Sequence, residues 1–97
     1  VKPSFHPRVF IEVDAIMKYY EEVADHDLAD EFYAEFRMLA NMAAKEPGLF
    51  RERPGGFKRA NLKRFPYNFL FREQNGGIRV LVVRHHARHP FYGTNRK

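Results

Sequence analysis

Cysteine is absent from this 97-residue chain, which excludes disulfides, thiolate metal sites and thiol nucleophiles and accords with a reducing compartment. No apolar run approaches the about 18 residues needed to cross a bilayer. The opening Val1-Lys2-Pro3-Ser4-Phe5 lacks the apolar stretch of a secretion signal. The expectation is a cytoplasmic protein that neither enters a membrane nor leaves the cell. Internal repeats, low-complexity tracts and linkers are missing, as are a phosphate-cradling glycine motif, a serine-centred triad and a paired-carboxylate site.

Acid is also scarce, but only in one half. From Leu49 to Lys97 just two carboxylates, Glu52 and Glu73, stand against twelve Lys/Arg, whereas Val1 to Gly48 carries ten Asp/Glu against five Lys/Arg. The net charge of +5 therefore conceals an acidic element followed by a basic one. The basic element suits an acidic protein partner or a nucleic-acid backbone. The alternative is that its cations only solvate and blunt sheet edges.

What is abundant is aromatic: ten Phe and five Tyr supply the bodies of a single core. His6-Pro7 reads as a helix entrance, and Val9, Val13, Ile16, Met17, Tyr20 and Val23 follow at helical period. Asp27 is placed to cap a second helix whose stripe is Leu28, Phe32, Phe36, Leu39, Ala40 and Ala43, ended by Pro47-Gly48. Shorter β-like runs come next: Leu49 to Arg53, a Pro54-Gly55-Gly56 turn, Phe57 to Lys63, Tyr67 to Glu73, an Asn75-Gly76-Gly77 hairpin and Ile78 to His86. Pro66 must start a strand and not interrupt one.

The expected fold is thus α+β: an N-terminal antiparallel helical hairpin packed on a twisted antiparallel β-sheet of three to four strands. One domain is expected over 1–97, with a short strand or arm at 1–7, helices at 8–24 and 27–45, strands over 49–86 and a loose tail at 87–97. Strict alternation sets Ile78, Val80 and Val82 opposite to Leu81 and Val83. Two helices cover only one side of a sheet, so a partner helix or strand, with the tail around Phe91-Tyr92, is expected on the other.

Candidate chemistry gathers at Arg84-His85-His86-Ala87-Arg88-His89-Pro90. On a regular strand Arg84 and His86 share one face, with His85 on the other. Arg with His could hold a phosphate and move a proton, as RNA cleavage through a 2′-hydroxyl requires. The alternative is the solvated end of a strand. No metal is expected, because His85 and His86 point apart and Glu73 is the sole nearby carboxylate; no cofactor is expected either. Lys58-Arg59, Lys63-Arg64 and Arg72, interleaved with Phe65, Tyr67 and Phe69, form a candidate phosphate-binding stretch, unless the aromatics are core.

Several of these pieces together resemble the RelE/ParE toxin superfamily, in particular its ParE-like, plasmid-stabilisation branch. They are Phe5-His6-Pro7, Tyr19-Tyr20-Glu21-Glu22, the Phe32 to Leu39 helix, the run from Arg59 through Leu62-Lys63-Arg64-Phe65-Pro66-Tyr67, the Asn75-Gly76-Gly77 hairpin and the closing His86-x-Arg88-x-Pro90. The resemblance implies a toxin of a type II toxin-antitoxin system, a cognate antitoxin lying over it in a hetero-oligomer, and a target that is either DNA gyrase or ribosome-bound mRNA. It points to Arg59, Lys63, Arg64, Tyr67, Arg72, Arg84, His86 and Arg88 for target or nucleic-acid binding, with His86 and Arg84 catalytic only if the protein is a nuclease. Asn68 stands where the nuclease branch carries an Arg for the scissile phosphate, and Ala87 follows His86 where some nucleases carry Tyr. These departures favour the non-enzymatic, gyrase-directed reading over an mRNA endonuclease, and a non-toxic basic nucleic-acid-binding module is the third possibility.

Overall fold

A computed structural model describes residues 2–97, so Val1, the first residue of the expected arm, lies outside the described residues. The chain runs β1 (Ser4–Phe5), α1 (Pro7–Val23), α2 (His26–Lys45), a 3₁₀ turn (Pro47–Leu49), β2 (Glu52–Arg53), β3 (Phe57–Asn61), β4 (Tyr67–Gln74) and β5 (Gly77–His85). His6 caps α1, its Nδ1 accepting the Arg8 N–H at 3.1 Å, and Pro7 occupies the first helical position, where no N–H is needed. Asp25, not Asp27, caps α2: its carboxylate accepts the Leu28 N–H at 2.8 Å. The helix begins at His26, so Asp27 falls inside the first turn, where its charge favours the positive end of the helix dipole without reaching the cap position.

The helices pack on a five-stranded sheet of order β1-β5-β4-β3-β2. Expectation had three to four strands, all antiparallel; β1 adds a parallel pairing with β5 (Ser4↔Arg79, Phe5↔Val80). The strands at both margins, β1 and β2, are two residues long, too short to leave any periodicity in a sequence. Of the expected first β-run, Leu49 belongs to the 3₁₀ turn, Phe50 is a bend and Arg51 is irregular, and only Glu52–Arg53 form a strand. The β4-β5 hairpin turns on Asn75 (φ 52°) and Gly76 (φ 75°), both left-handed as a two-residue hairpin loop demands. Pro66 lies immediately before β4, and its carbonyl accepts the His86 N–H at 2.9 Å.

The core is the space between the helical stripes and one sheet face. Val9, Val13, Ile16, Phe32, Phe36 and Ala40 meet Ala60, Phe69, Phe71, Ile78, Val80 and Val83 there. A β-bulge overturns the alternation read from the sequence. Leu70 pairs with Val82 and Phe71 with Val80, which leaves Leu81 as the extra residue of β5. Ile78, Val80 and Val83 consequently all reach the helix side, and Val82 turns away from it. The Val83 N–H is satisfied by Glu12 Oε1 of α1 at 3.0 Å.

The second face needs no partner to shield its apolar residues, contrary to expectation. Leu70, Leu81 and Val82 are exposed by 1% or less, and the tail, read as loose, folds over them in successive turns. Gly93 (φ 81°) sits so close to Val82 that a Cβ would lie 2.5 Å from the valine Cβ. Arg96 donates to the Leu81 carbonyl at 3.1 Å and pairs with Glu12 at 2.8 Å. These contacts use a glycine, backbone carbonyls and one ion pair, none of which makes a periodic signal.

Candidate functional site

Register fixes which side chains share the sheet face turned away from the helices, because directly paired residues of a ladder project to the same side. Phe69 and Phe71 enter the core, so Asn68, Leu70 and Arg72 between and beside them project outward. Their partners follow: Arg84 opposite Asn68, Val82 and Arg59 opposite Leu70, and Arg79 opposite Arg72. Phe57 lies beneath the Arg72 guanidinium at 5.5 Å and pairs with Arg53. Five arginines, at 53, 59, 72, 79 and 84, therefore share the outer face. Both strand carboxylates are on the other side: Glu52 pairs with Lys58, Glu73 pairs with Ile78, and Glu73 binds Lys58 Nζ at 3.1 Å.

The concentration of like charge strains this face. Arg72 and Arg79 stand directly opposite each other, an arrangement that costs about 0.2–1 kcal/mol. Burial, with Arg59 and Arg53 adding repulsion, lowers the proton affinity of the Arg84 guanidinium; burial and then Arg53 act likewise on Arg59. Arg59 Nε is buried and has no hydrogen-bond partner. None of these five arginines is among the ion pairs of the described residues, which join Lys18 to Asp14, His26 to Glu21, Lys58 to Glu73, Arg64 to Glu31 and Arg96 to Glu12.

At one corner of the face Asn68 ties Arg84 to His86. Its Oδ1 accepts from Arg84 Nε at 3.2 Å and its Nδ2 lies 2.9 Å from His86 Nδ1. Guanidinium has no acceptor, so the amide must turn its oxygen to Arg84 and its NH₂ to the imidazole. The neutral His86 ring thus uses its Nδ1 lone pair on Asn68 and carries its proton on Nε2. The remaining Arg84 donors are committed to the tail: Nη1 reaches the carbonyls of Pro90 at 2.7 Å, Tyr92 at 3.1 Å and His89 at 3.5 Å. Arg84 is only 8% exposed. In this arrangement Arg84 braces the tail, and His86 presents a donor, where a general base would need a lone pair.

Of the other sequence candidates, Lys63 and Arg64 lie apart from that corner, whereas Tyr67 and Arg88 line a cavity with Arg84. Backbone N–H groups of Lys63 and Arg64 donate to Glu35 of α2, at 2.6 and 3.3 Å, and the Arg64 guanidinium pairs with Glu31 at 2.7 Å. Tyr67 belongs to an aromatic cluster with Tyr20 and Phe32, and His85 stacks edge-on against it at 5.2 Å. Burial raises the phenol pKa of both Tyr67 and Tyr20. Arg88 lies over the Tyr92 ring at 4.2 Å. A shallow cavity of ≈ 230 Å³ between α1 and the tail is lined by Glu12, Tyr67, Arg84, His85, Arg88 and Tyr92. The structure thus brings Arg59, Arg72, Arg84 and His86 to the outer face, sets Tyr67 and Arg88 in a cavity that Arg84 also lines, and sends Lys63 and Arg64 against α2. Among the described residues no three His, Asp or Glu side chains gather as a metal site, and no helix is long and apolar enough to cross a membrane.

Sequence reasoning missed Arg53, Arg79 and the bridging role of Asn68. Arg79 was legible, since it sits between the core residues Ile78 and Val80. Arg53 was not, because its face is set by a two-residue pairing.

No protein-family model matches the chain, and no curated protein does. Eight solved chains share its fold. One, described as "Chromosomal ParDE TA system from P. aeruginosa", superposes with a TM-score of 0.76 over 88% of this chain and 95% of that chain, at 17% identity. The architecture is the ParE-like one that the sequence resemblance implied.

Proposed function

We propose that residues 1–97 form the toxin of a type II toxin-antitoxin pair that arrests growth by binding an essential target, DNA gyrase, in the cytoplasm. A co-encoded antitoxin neutralises it as a hetero-oligomer. The shared fold with a ParDE-system chain supports the toxin class. The observation that carries the non-enzymatic form of the reading is the Arg84-Asn68-His86 knot. Arg84 is buried against tail carbonyls, and His86 spends its Nδ1 lone pair on Asn68. An endonuclease needs that arginine on the scissile phosphate and that imidazole free to take a proton. The antitoxin has apolar anchors available on the helices, where Phe10, Ile11 and Met38 are each at least 60% exposed.

The test is expression with and without a small acidic protein from the neighbouring reading frame. Growth arrest relieved by co-expression, loss of supercoiling by purified gyrase on adding the protein, and unchanged arrest by His86→Gln are the expected results. The exposed position of His86 on a cationic face favours a second reading, ribosome-dependent mRNA cleavage. New mRNA 5′ ends after induction, lost in His86→Gln, would replace the first reading with that one.

A further inference from the structure

A cavity of ≈ 450 Å³ opens at the turn end of the helical hairpin, lined by Tyr19, Tyr20, Val23, Leu28, Tyr67 and His85 among others. Its four rings form a chain of steeply tilted pairs: Tyr19 to Tyr20 at 5.3 Å and 66°, Tyr20 to Tyr67 at 6.3 Å and 77°, and Tyr67 to His85 at 5.2 Å and 86°. Rings set edge to face make the walls of a box, and the face of a phenol ring is its electron-rich side. Tyr19, at the outer end of the chain, is 52% exposed. The charge beside the box has one sign. Residues 21–31 hold six carboxylates and no Lys or Arg. Glu21 is paired with His26, Glu31 with Arg64, and Asp25 caps α2. Glu22, which neighbours Tyr19 on the helix surface at i+3, is in none of the ion pairs of the described residues. His85 is not an opposing cation, because its Nδ1 accepts the Ala87 N–H at 3.0 Å and the ring is therefore neutral in this arrangement. An electron-rich box beside an acidic turn repels phosphate and suits a cation.

The chain itself contains the recognition unit that such a box implies. Arg96 lies over the Tyr92 ring at 5.2 Å while it pairs with Glu12 at 2.8 Å, a guanidinium held by a phenol face and a carboxylate together. Tyr19 and Glu22 offer the same two groups on one helix surface, and among the described residues no guanidinium lies over Tyr19, Tyr20 or Tyr67. We propose that this cavity receives an arginine side chain from an exposed basic segment of a partner protein, the guanidinium stacking on the tyrosine walls beside Glu22. Arginine is preferred to lysine because its plane can stack on a ring and bond a carboxylate at once. A proline-rich segment also docks on aromatic grooves, but it gains nothing from the carboxylates. This goes beyond the toxin reading and does not depend on it. Growth arrest without arginine binding removes this inference alone, and arginine binding without arrest removes the toxin reading alone.

The experiment is intrinsic tyrosine fluorescence of the full chain, which has no Trp and sets three of its five Tyr on this cavity. The probes are end-blocked tripeptides: Gly-Arg-Gly, its lysine and citrulline counterparts, and Pro-Pro-Pro. A ligand of this size predicts a Kd on the order of 1 mM for the arginine peptide. Citrulline, the uncharged isostere, should weaken binding by about tenfold, and lysine by about threefold. Tyr19→Leu should weaken arginine binding by about two- to thirtyfold and Tyr19→Phe by less than about twofold. Glu22→Gln should weaken it by up to about fivefold, and Tyr33→Leu, on an exposed tyrosine of α2 outside the cavity, should leave it unchanged. Arginine binding with this ligand order and these responses supports the proposal. No saturation by about 20 mM, equal binding of the citrulline peptide, tighter binding of Pro-Pro-Pro, or an affinity unaltered in both Tyr19→Leu and Glu22→Gln with thermal melts showing both folded overturns it; the proline result would assign the cavity to a polyproline segment.

Discussion

Glu12 is the point at which α1, the β5 bulge and the tail are joined, so its removal tests the account of how the outer face is closed. Oε1 accepts the Val83 N–H at 3.0 Å, and Oε2 accepts from Arg96 Nη1 at 2.8 Å and the Tyr92 hydroxyl at 3.3 Å. The Glu12 and Arg96 side chains are 13% and 11% exposed, so their pair is largely shielded from solvent. Glu12→Ala leaves a bulge N–H without its acceptor, which costs about 1–3 kcal/mol. It also leaves Arg96 as a shielded charge without its partner, a loss of about 3–5 kcal/mol when the charge cannot escape. The two effects share one carboxylate and part of the second is relieved if the tail lifts, so the expected total is about 3–5 kcal/mol. For a chain of this size that lowers Tm by on the order of 15–30 °C. Glu12→Gln keeps an oxygen for the Val83 N–H and should lose about half as much. The assay is urea unfolding followed by circular dichroism, paired with limited trypsin digestion, which should cut at Arg88 and Arg96 faster in Glu12→Ala. A loss below about 1 kcal/mol with an unchanged digestion pattern would refute the idea that this carboxylate closes the tail.

Three more perturbations follow from the same contacts. Asp25→Ala should cost about 1 kcal/mol in thermal or urea unfolding, whereas Asp27→Ala should cost no more than about half of that, because only Asp25 bonds a free helix N–H. Gly93→Ala places a methyl against Val82 at a left-handed φ and should destabilise the fold by about 2–4 kcal/mol, read by Tm. His6 accepts the Arg8 N–H, and burial, then the nearby Arg96 and Arg79, lower its pKa below the usual 6.5. The unfolded chain therefore takes up a proton at His6 first as pH falls. The stability this cap supplies is complete above about pH 6.5 and is lost on acidification. His6→Asn keeps a cap without a titrating ring, so its melting temperature should fall less than that of the parent between pH 7.5 and 5.5.

Much of the helix-side architecture was legible because apolar residues recur at periods that only one packing satisfies. The stripes from Val9 to Tyr20 and from Leu28 to Ala43 announced the helices, and the Asn75-Gly76 pair announced the hairpin. What escaped was set by local exceptions. The bulge at Leu81 reverses the facing of every later residue on β5, so Val83 joins Val80 in the core against the alternation. The tail is held by carbonyls of His89, Pro90 and Tyr92 on Arg84 and by one close glycine, contacts that depend on position in space and not on residue pattern. The candidate site shares this division. Arg84 and His86 do project together, as alternation expects, but Asn68, read as a missing catalytic arginine, is the group that binds them to each other.

The bulge also explains how one small sheet keeps two surfaces of opposite character. Without it, Val83 would follow Leu81 to the outer side and Arg84 would face the helices, where no carboxylate is free to receive it except Glu12, already engaged with Arg96. With it, Val83 fills the core and Arg84 joins Arg53, Arg59, Arg72 and Arg79 outside. One inserted residue thereby raises both the apolar content of the inner face and the charge of the outer one. The Val83 N–H donates to Glu12, and Glu12 in turn holds Arg96, so the tail is anchored to the strand that carries Arg84. Deleting Leu81 would leave Val80 opposite Phe71 and Val82 opposite Leu70 as neighbours, with Val83 still inward and Arg84 still outward, so it should remove only the carbonyl that receives Arg96 and make the tail a faster target for trypsin. An unchanged digestion pattern in a folded deletion variant would refute that anchor.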